Sequence, residues 1–348
     1  MHDLWTTPHG VLKAALHHRA TVASRVRDGR TYWVASFTAP NQFEAKAYIN
    51  ADGLVERVES RLPHHVTGDT DVVTQYLDYR DHGGVKFPSR IRQSQGGFPV
   101  LDLAVSEVQT NLNSGITVPD LVRVATERVV VEPVTAGVWF IAGGSHNSVA
   151  IEMKDHMVLV ESPLYDGRSL PVLQAANGLV PGKAVRFVIN SHHHFDHSGG
   201  LRAAVAAGAT LVTSAQAKPY FERILANPNS ISPDAMAKSG RRAEVLGVEG
   251  KRVFADDSRT FEVHAITGGV HVEGFNMVYL PRERILIQAD AFTPGAANAA
   301  PPSPANDNHL NLVENIERLK LNIDRILPLH GRVVALSELY RAVGRNAP

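Results

Sequence analysis

The stretch "NSHHHFDHSGGL", residues 190 to 201, sets four histidines and an aspartate within six consecutive positions, directly after the apolar run "VRFVIN". An apolar run of that length reads as a buried strand, and α/β sheets assemble their sites at the carboxyl ends of such strands. The chain must therefore build a sheet covered on both faces and turn sharply at the strand's end. Gly199 and Gly200 suit that turn, which leads into an Ala-rich helical segment from Leu201. On an extended segment residues two apart share a face, so His192 and His194 can hold one metal ion while the turn aims Asp196 and His197 at a second.

The rest of the chain divides into two textures. Residues 30 to 109 read as antiparallel strands and tight turns: "TYWVASFTA", "FEAKAYIN" before the turn "NADG", "LVERVESRL", and "VKFPSRIRQSQGGFPVLDLAVSEVQ". Thr7 and Pro8 are suited to the N-cap and first position of a short helix, "HGVLKAALHH", that can cover one face of this meander. The polar stretch "TNLNSGITVPD", 110 to 120, reads as a linker. The expected domains are 1–115, a β-rich accessory domain, and 121–348. In the second, strands such as "GVWFIAG", "MVLVES", "FEVHAIT" and "RILIQAD" alternate with helical segments near 168–177, "PYFERIL", "NLVENIERLKLN" and "ALSELYRAV". Such alternation implies sheets buried between helices.

Composition limits the chemistry. The 348 residues contain no cysteine, so a metal must be held by imidazole and carboxylate, and no thiolate nucleophile or disulfide is available. Lys plus Arg and Asp plus Glu number 35 each, which gives no net field to attract nucleic acid and favours a small, weakly charged substrate. No segment reads as a membrane span or as a signal sequence. A soluble protein is expected, cytoplasmic or exported, with a homodimer through the amino-terminal domain left open.

The HxHxDH of His192, His194, Asp196 and His197, with His271 in "GGVHVEGF", Asp290 ending "RILIQAD" and His330 in "ILPLHG", resembles the metallo-β-lactamase superfamily. The resemblance covers roughly residues 121 to 348 and implies an α+β class fold, an αββα sandwich, here preceded by the antiparallel meander. It implies two metal sites, His192, His194 and His271 at one and Asp196, His197 and His330 at the other, with Asp290 bridging. Zinc is the expected metal, with iron or manganese as alternatives. The implied reaction is hydrolysis by a metal-bridging hydroxide, with Asp196 orienting it. The missing cysteine departs from thiolate-ligand β-lactamases, and Asp290 makes the set more similar to glyoxalase II, lactonase and RNase Z sites. The chain ends 18 residues after His330, without the helical extension of glyoxalase II. Carboxylic esters and lactones are the substrates expected. A β-lactamase-like amide hydrolase, a mononuclear iron thiol dioxygenase and a binding module with a vestigial site are the alternatives.

Among other residues, His146 in "GGSHNS" and Arg168 in "ESPLYDGRS" are candidates for the substrate pocket, His146 otherwise reading as a surface-loop residue. Glu161, Asp166, Glu273 and Asp307 are the remaining charges expected on the pocket walls. The small-residue loop "PGAANAAPPSPANDN", 294 to 308, is expected to border the entrance. His264 alternates with Phe261, Val263 and Ala265 and is expected on the far strand face. The amino-terminal meander resembles the curved sheets of lipoprotein-carrier-like domains and reads as a packing or dimerisation module, with Trp5, Trp33 and Tyr48 in its core.

Overall fold

The computed structural model describes residues 2–347 except 41, 114, 121, 123–125, 298, 299 and 301. It divides into two compact units, residues 1–124 with 228–232, and residues 125–227 with 233–348. Among the described residues no helix is long and apolar enough to cross a membrane.

In the first unit, seven strands from Thr21–Arg27 to Phe98–Ala104 pair in chain order, each antiparallel to the next. Alternation decides which face is buried. Ala45 and Ala47 point inward from Glu44–Ile49 while Glu44 and Lys46 stay exposed. The helix Pro8–His17 starts as its sequence demands, with the Thr7 hydroxyl accepting from Gly10 N and Pro8 in the first turn. Its Val11, Ala14 and Ala15 cover Phe37, Ala45, Ala47 and Val58. Two strands beyond those expected complete the sheet, Thr21–Arg27 and Gly68–Asp81. Trp33 is 56% exposed rather than in the core, whereas Trp5 packs against it. The loop at 228–232 joins this unit because Asp69 accepts from Ser230 Oγ, Ser230 N and Ile231 N.

The second unit is a mixed α+β sandwich of the expected kind. Its first sheet has seven strands in chain order, Val130–Thr135 to Val245–Val248, antiparallel over the first three pairings and parallel over the last three. Its second has six, Lys251–Ala255 to Val334–Ala335, antiparallel except where Ile285–Gln288 runs parallel to Arg325–Pro328. Met157–Val160, Asn276–Leu280 and Ile285–Gln288 are buried at every position, as strands covered on both faces must be. Val158, Val160 and Ile189 of one sheet meet Val263, Met277 and Tyr279 of the other in a single core. Helices Asp166–Gly178 and Leu201–Ala206 pack on the first sheet. Leu312, Val313 and Ile316 of Asp307–Leu319 and Leu339 of Leu336–Ala342 join the core from the second. Each buried aliphatic side chain here contributes about 1.5–3 kcal/mol to holding the layers together. The candidate ligands all stand in the segments that follow carboxyl ends of these strands.

Candidate metal centre

The motif forms where Val185–Ile189 ends. Asn190 N donates to Val212 O and its side-chain amide to His197 O, so the first residue after the strand ties the adjacent strand to the following turn. Phe195–Ser198 then makes a single helical turn, closed by Ser198 Oγ donating to His194 O at 2.7 Å. Gly199 and Gly200 sit at φ −66° and −99°, values open to any residue. Glycine is needed for space instead: a Cβ would stand 1.8 Å from Leu164 O at Gly199 and 1.9 Å from Ser169 Oγ at Gly200.

Two groups of donors result. His192, His194, His271 and Asp290 form one, and His146, Asp196, His197 and His330 the other, with the ligand atoms of each group all within 4.8 Å of one another. Asp290 faces both groups. Its Oδ2 is 3.0 Å from His271 Nε2 and 3.6 Å from His192 Nε2, while its Oδ1 is 3.0 Å from both His197 Nε2 and His330 Nε2. His192 is fully buried and His197 nearly so, whereas His271, His330 and Asp196 keep partial exposure and open the cluster to one side.

On two of the histidines the outer ring nitrogen is hydrogen-bonded, as metal-binding histidines require. Nδ1 of His192 meets Ser191 Oγ at 2.9 Å, and Nδ1 of His330 donates to Ser145 O at 3.3 Å. Behind His197, Nδ1 lies 3.6 Å from Oε2 of Glu161, a fully buried carboxylate whose other oxygen accepts from Ser191 N at 2.6 Å. Glu161 thus stands buried behind His197 and not on the pocket wall where the sequence puts it. It occupies a left-handed conformation, φ 69°, at the end of Met157–Val160, and that turn drives the side chain inward.

Burial, together with neighbouring His197, pushes the His192 imidazole down to about 2, so it is neutral. Burial also lowers His194 and His146. For His197 burial opposes protonation, but Asp196, Asp290 and Glu161 outweigh it and lift the ring to about 12. His197 holds Asp196 far below the usual carboxylate range; burial would raise Asp290, yet His197 and His330 keep it there too. The carboxylates therefore draw positive charge into the space between the two groups. Inward imidazole nitrogens, a shared carboxylate and no sulfur form a donor set that fits divalent cations.

Two residues expected at the pocket take definite places. Arg168 is fully buried rather than on an open pocket wall, with its guanidinium donating to the carbonyls of Arg128, Ala142 and His146. It clamps the loop 142–146 from behind. His146 is 9% exposed rather than at the surface, with Nε2 3.0 Å from Asp196 Oδ2 and Nδ1 2.7 Å from Ser145 Oγ. Asn147 fastens the same loop to the His330 turn, its N donating to Leu329 O and its side-chain amide to Gly331 O. His193 turns toward Tyr220, and His264 pairs with Glu262; neither belongs to a donor group. Of the stretch 294–308, Pro294 packs beside Gly331 and Gly295 O accepts from Arg332, while 298, 299 and 301 lie outside the described residues.

The family model described as the metallo-beta-lactamase superfamily matches residues 141–330. Over 172 residues the chain is 30% identical to the 2,4-dinitroanisole O-demethylase subunit alpha of Nocardioides sp. (strain JS1661), covering 49% of this chain and 48% of that protein. The chain thus spans about half the length of that curated relative. Among solved structures it is similar to the metallo-beta-lactamase from Pontibacter korlensis, at 19% identity and TM-score 0.47, covering 62% of this chain and 98% of that one. It is also similar to the metallo-beta-lactamase from Hirschia baltica, at 19% identity and TM-score 0.46, covering 63% and 99%.

Proposed function

Because the chain belongs to the metallo-beta-lactamase superfamily, we propose that it is a dinuclear, zinc-dependent hydrolase of uncharged carboxylic esters or lactones. The observation that carries the reading is the divided carboxylate of Asp290, with one oxygen toward His271 and the other toward His197 and His330. His192, His194 and His271 would hold one cation, and Asp196, His197 and His330 the other. Bound there, two zinc ions supply Lewis acidity and a water acidified to near neutral pH. Asp196, 34% exposed and anchored by His146 and His197, would orient that water. Neutral His192 and His194 keep the first group ready to ligate at neutral pH.

The charges on the walls favour one substrate class. The stretches 144–148, 161–169, 271–276 and 294–308 contain Arg168 as their one lysine or arginine, and its guanidinium is spent on backbone carbonyls. Phosphodiesters and carboxylated substrates are normally met by such cations. An uncharged carbonyl substrate needs none. Since one relative is named for demethylating 2,4-dinitroanisole, that ether belongs in the assay beside aryl esters, lactones, a β-lactam, a glutathione thioester and a phosphodiester. Zinc-loaded and chelator-stripped protein should differ, with esters or lactones preferred. A tenfold or greater preference for the phosphodiester or thioester in kcat/KM, about 1.4 kcal/mol in transition-state binding, would overturn the substrate class.

A further inference from the structure

We propose that His146 is a fourth protein side chain dedicated to the second cation, alongside Asp196, His197 and His330. The inference rests on the two-cation reading above and deepens it. His146 Nε2 stands 3.0 Å from Asp196 Oδ2, and its ring lies 4.3 Å from that of His330 and 5.7 Å from that of His197. Two donors at right angles on one cation, with bonds of about 2.1 Å, lie about 3.0 Å apart. The spacing is therefore that of neighbouring ligands as well as that of a hydrogen bond.

The surroundings favour ligation. Ser145 engages both imidazoles on the outer side, its hydroxyl 2.7 Å from His146 Nδ1 and its carbonyl 3.3 Å from His330 Nδ1. With the hydroxyl oxygen accepting from Nδ1–H, the His146 Nε2 lone pair points inward, the tautomer that a metal ligand needs. His330 is oriented the same way by the same residue. Arg168 is buried beneath the loop and donates to the carbonyls of Ala142 and of His146 itself. Burying a guanidinium is costly, and here the outcome is a fixed position for one imidazole. The second cation would then meet three imidazoles, like the first, plus Asp196 and one oxygen of Asp290.

The test is metal binding, read without turnover. Zinc or cobalt is titrated into chelator-stripped wild-type, His146→Ala and His146→Gln proteins, with stoichiometry from calorimetry, the visible cobalt spectrum as a second readout, and circular dichroism to verify the fold. We expect both variants to weaken the second ion by roughly 10- to 100-fold or more while the first stays at wild-type affinity. Gln retains a side-chain donor toward Asp196 but no imidazole. If His146→Gln restores wild-type affinity, His146 is only a hydrogen-bond donor and the inference fails. It also fails if both variants bind like wild type. Wild-type protein saturating at one ion would overturn the two-cation reading; a loss of that ion in both variants would still uphold His146 as a ligand, and its retention would sink both.

Discussion

The Oδ1 atom of Asp290 lies 3.0 Å from Nε2 of His197, although 93 residues separate them in the chain. The same carboxylate reaches His271 with its other oxygen. Asp290→Asn keeps the shape but replaces one oxygen with an amide nitrogen, which does not ligate zinc. One cation should be lost or weakened by about 100-fold, with the variant folded. Calorimetric titration giving two ions at wild-type affinity would show that Asp290 bridges nothing.

Glu161 supports His197 from the side away from the proposed cations. Glu161→Gln keeps an oxygen for Ser191 N but removes the charge that steers His197 Nδ1. Second-ion affinity should drop roughly 10- to 100-fold, with the first ion spared. Equal losses at both ions would point to a general collapse of the turn instead.

Arg168 now predicts a stability effect in place of a substrate effect. Arg168→Met leaves the carbonyls of Ala142 and His146 buried without their donor, at about 1–3 kcal/mol each. Urea unfolding should show the loss. A variant of unchanged stability whose only defect is a raised KM would return Arg168 to the pocket.

Gly199→Ala tests the steric reading of the motif's glycines. The added methyl would collide with Leu164 O, so the turn must move, at a cost of about 1–3 kcal/mol or more. Metal affinity should fall with it. Wild-type unfolding and metal binding together would mean that the turn yields freely.

A pH effect is expected in the first unit, where Asp69 holds the loop 228–232. Burial would raise its carboxyl, but Ser230, through hydroxyl and backbone, and Ile231 N lower it below the ordinary value. A carboxylate whose folded value lies below its unfolded value stabilises fully above the unfolded one, about 3.9, and loses that contribution as pH falls through the folded value. Amide exchange at 230 and 231 should therefore speed up below about pH 4 beyond its intrinsic pH trend. In Asp69→Asn this acid step should vanish; its persistence would assign the step to another carboxylate.

Legibility followed distance along the chain. His192, His194, Asp196 and His197 lie within one turn, so local spacing alone sorted them into the two groups that the fold assembles. The places of Arg168 and Glu161 are not legible in the sequence, because neither the first turn of a helix nor the end of a strand reveals which way a side chain leaves it. Glu161 turns inward through one positive φ, and Arg168 sinks because three carbonyls from distant loops converge on it. His146 shares that fate, since its partners are 50 residues away or more. The strand Gly68–Asp81 escaped notice because Thr70 and Thr74 stand among its buried positions, which blurs the alternation that marks a half-buried strand.

The spread of the ligands over both sheets has a topological consequence. His197 follows a strand of the first sheet and His330 a strand of the second, 133 positions further along the chain. A cation held by both closes that span into a loop, as a covalent cross-link would, and tethering a loop of this size removes chain entropy worth about 4–5 kcal/mol from the unfolded state. In a chain without cysteine, such coordination bonds would supply the long-range staples that disulfides cannot. On the proposed two-cation reading, loss of the metals would loosen the seam between the sheets at these strand ends.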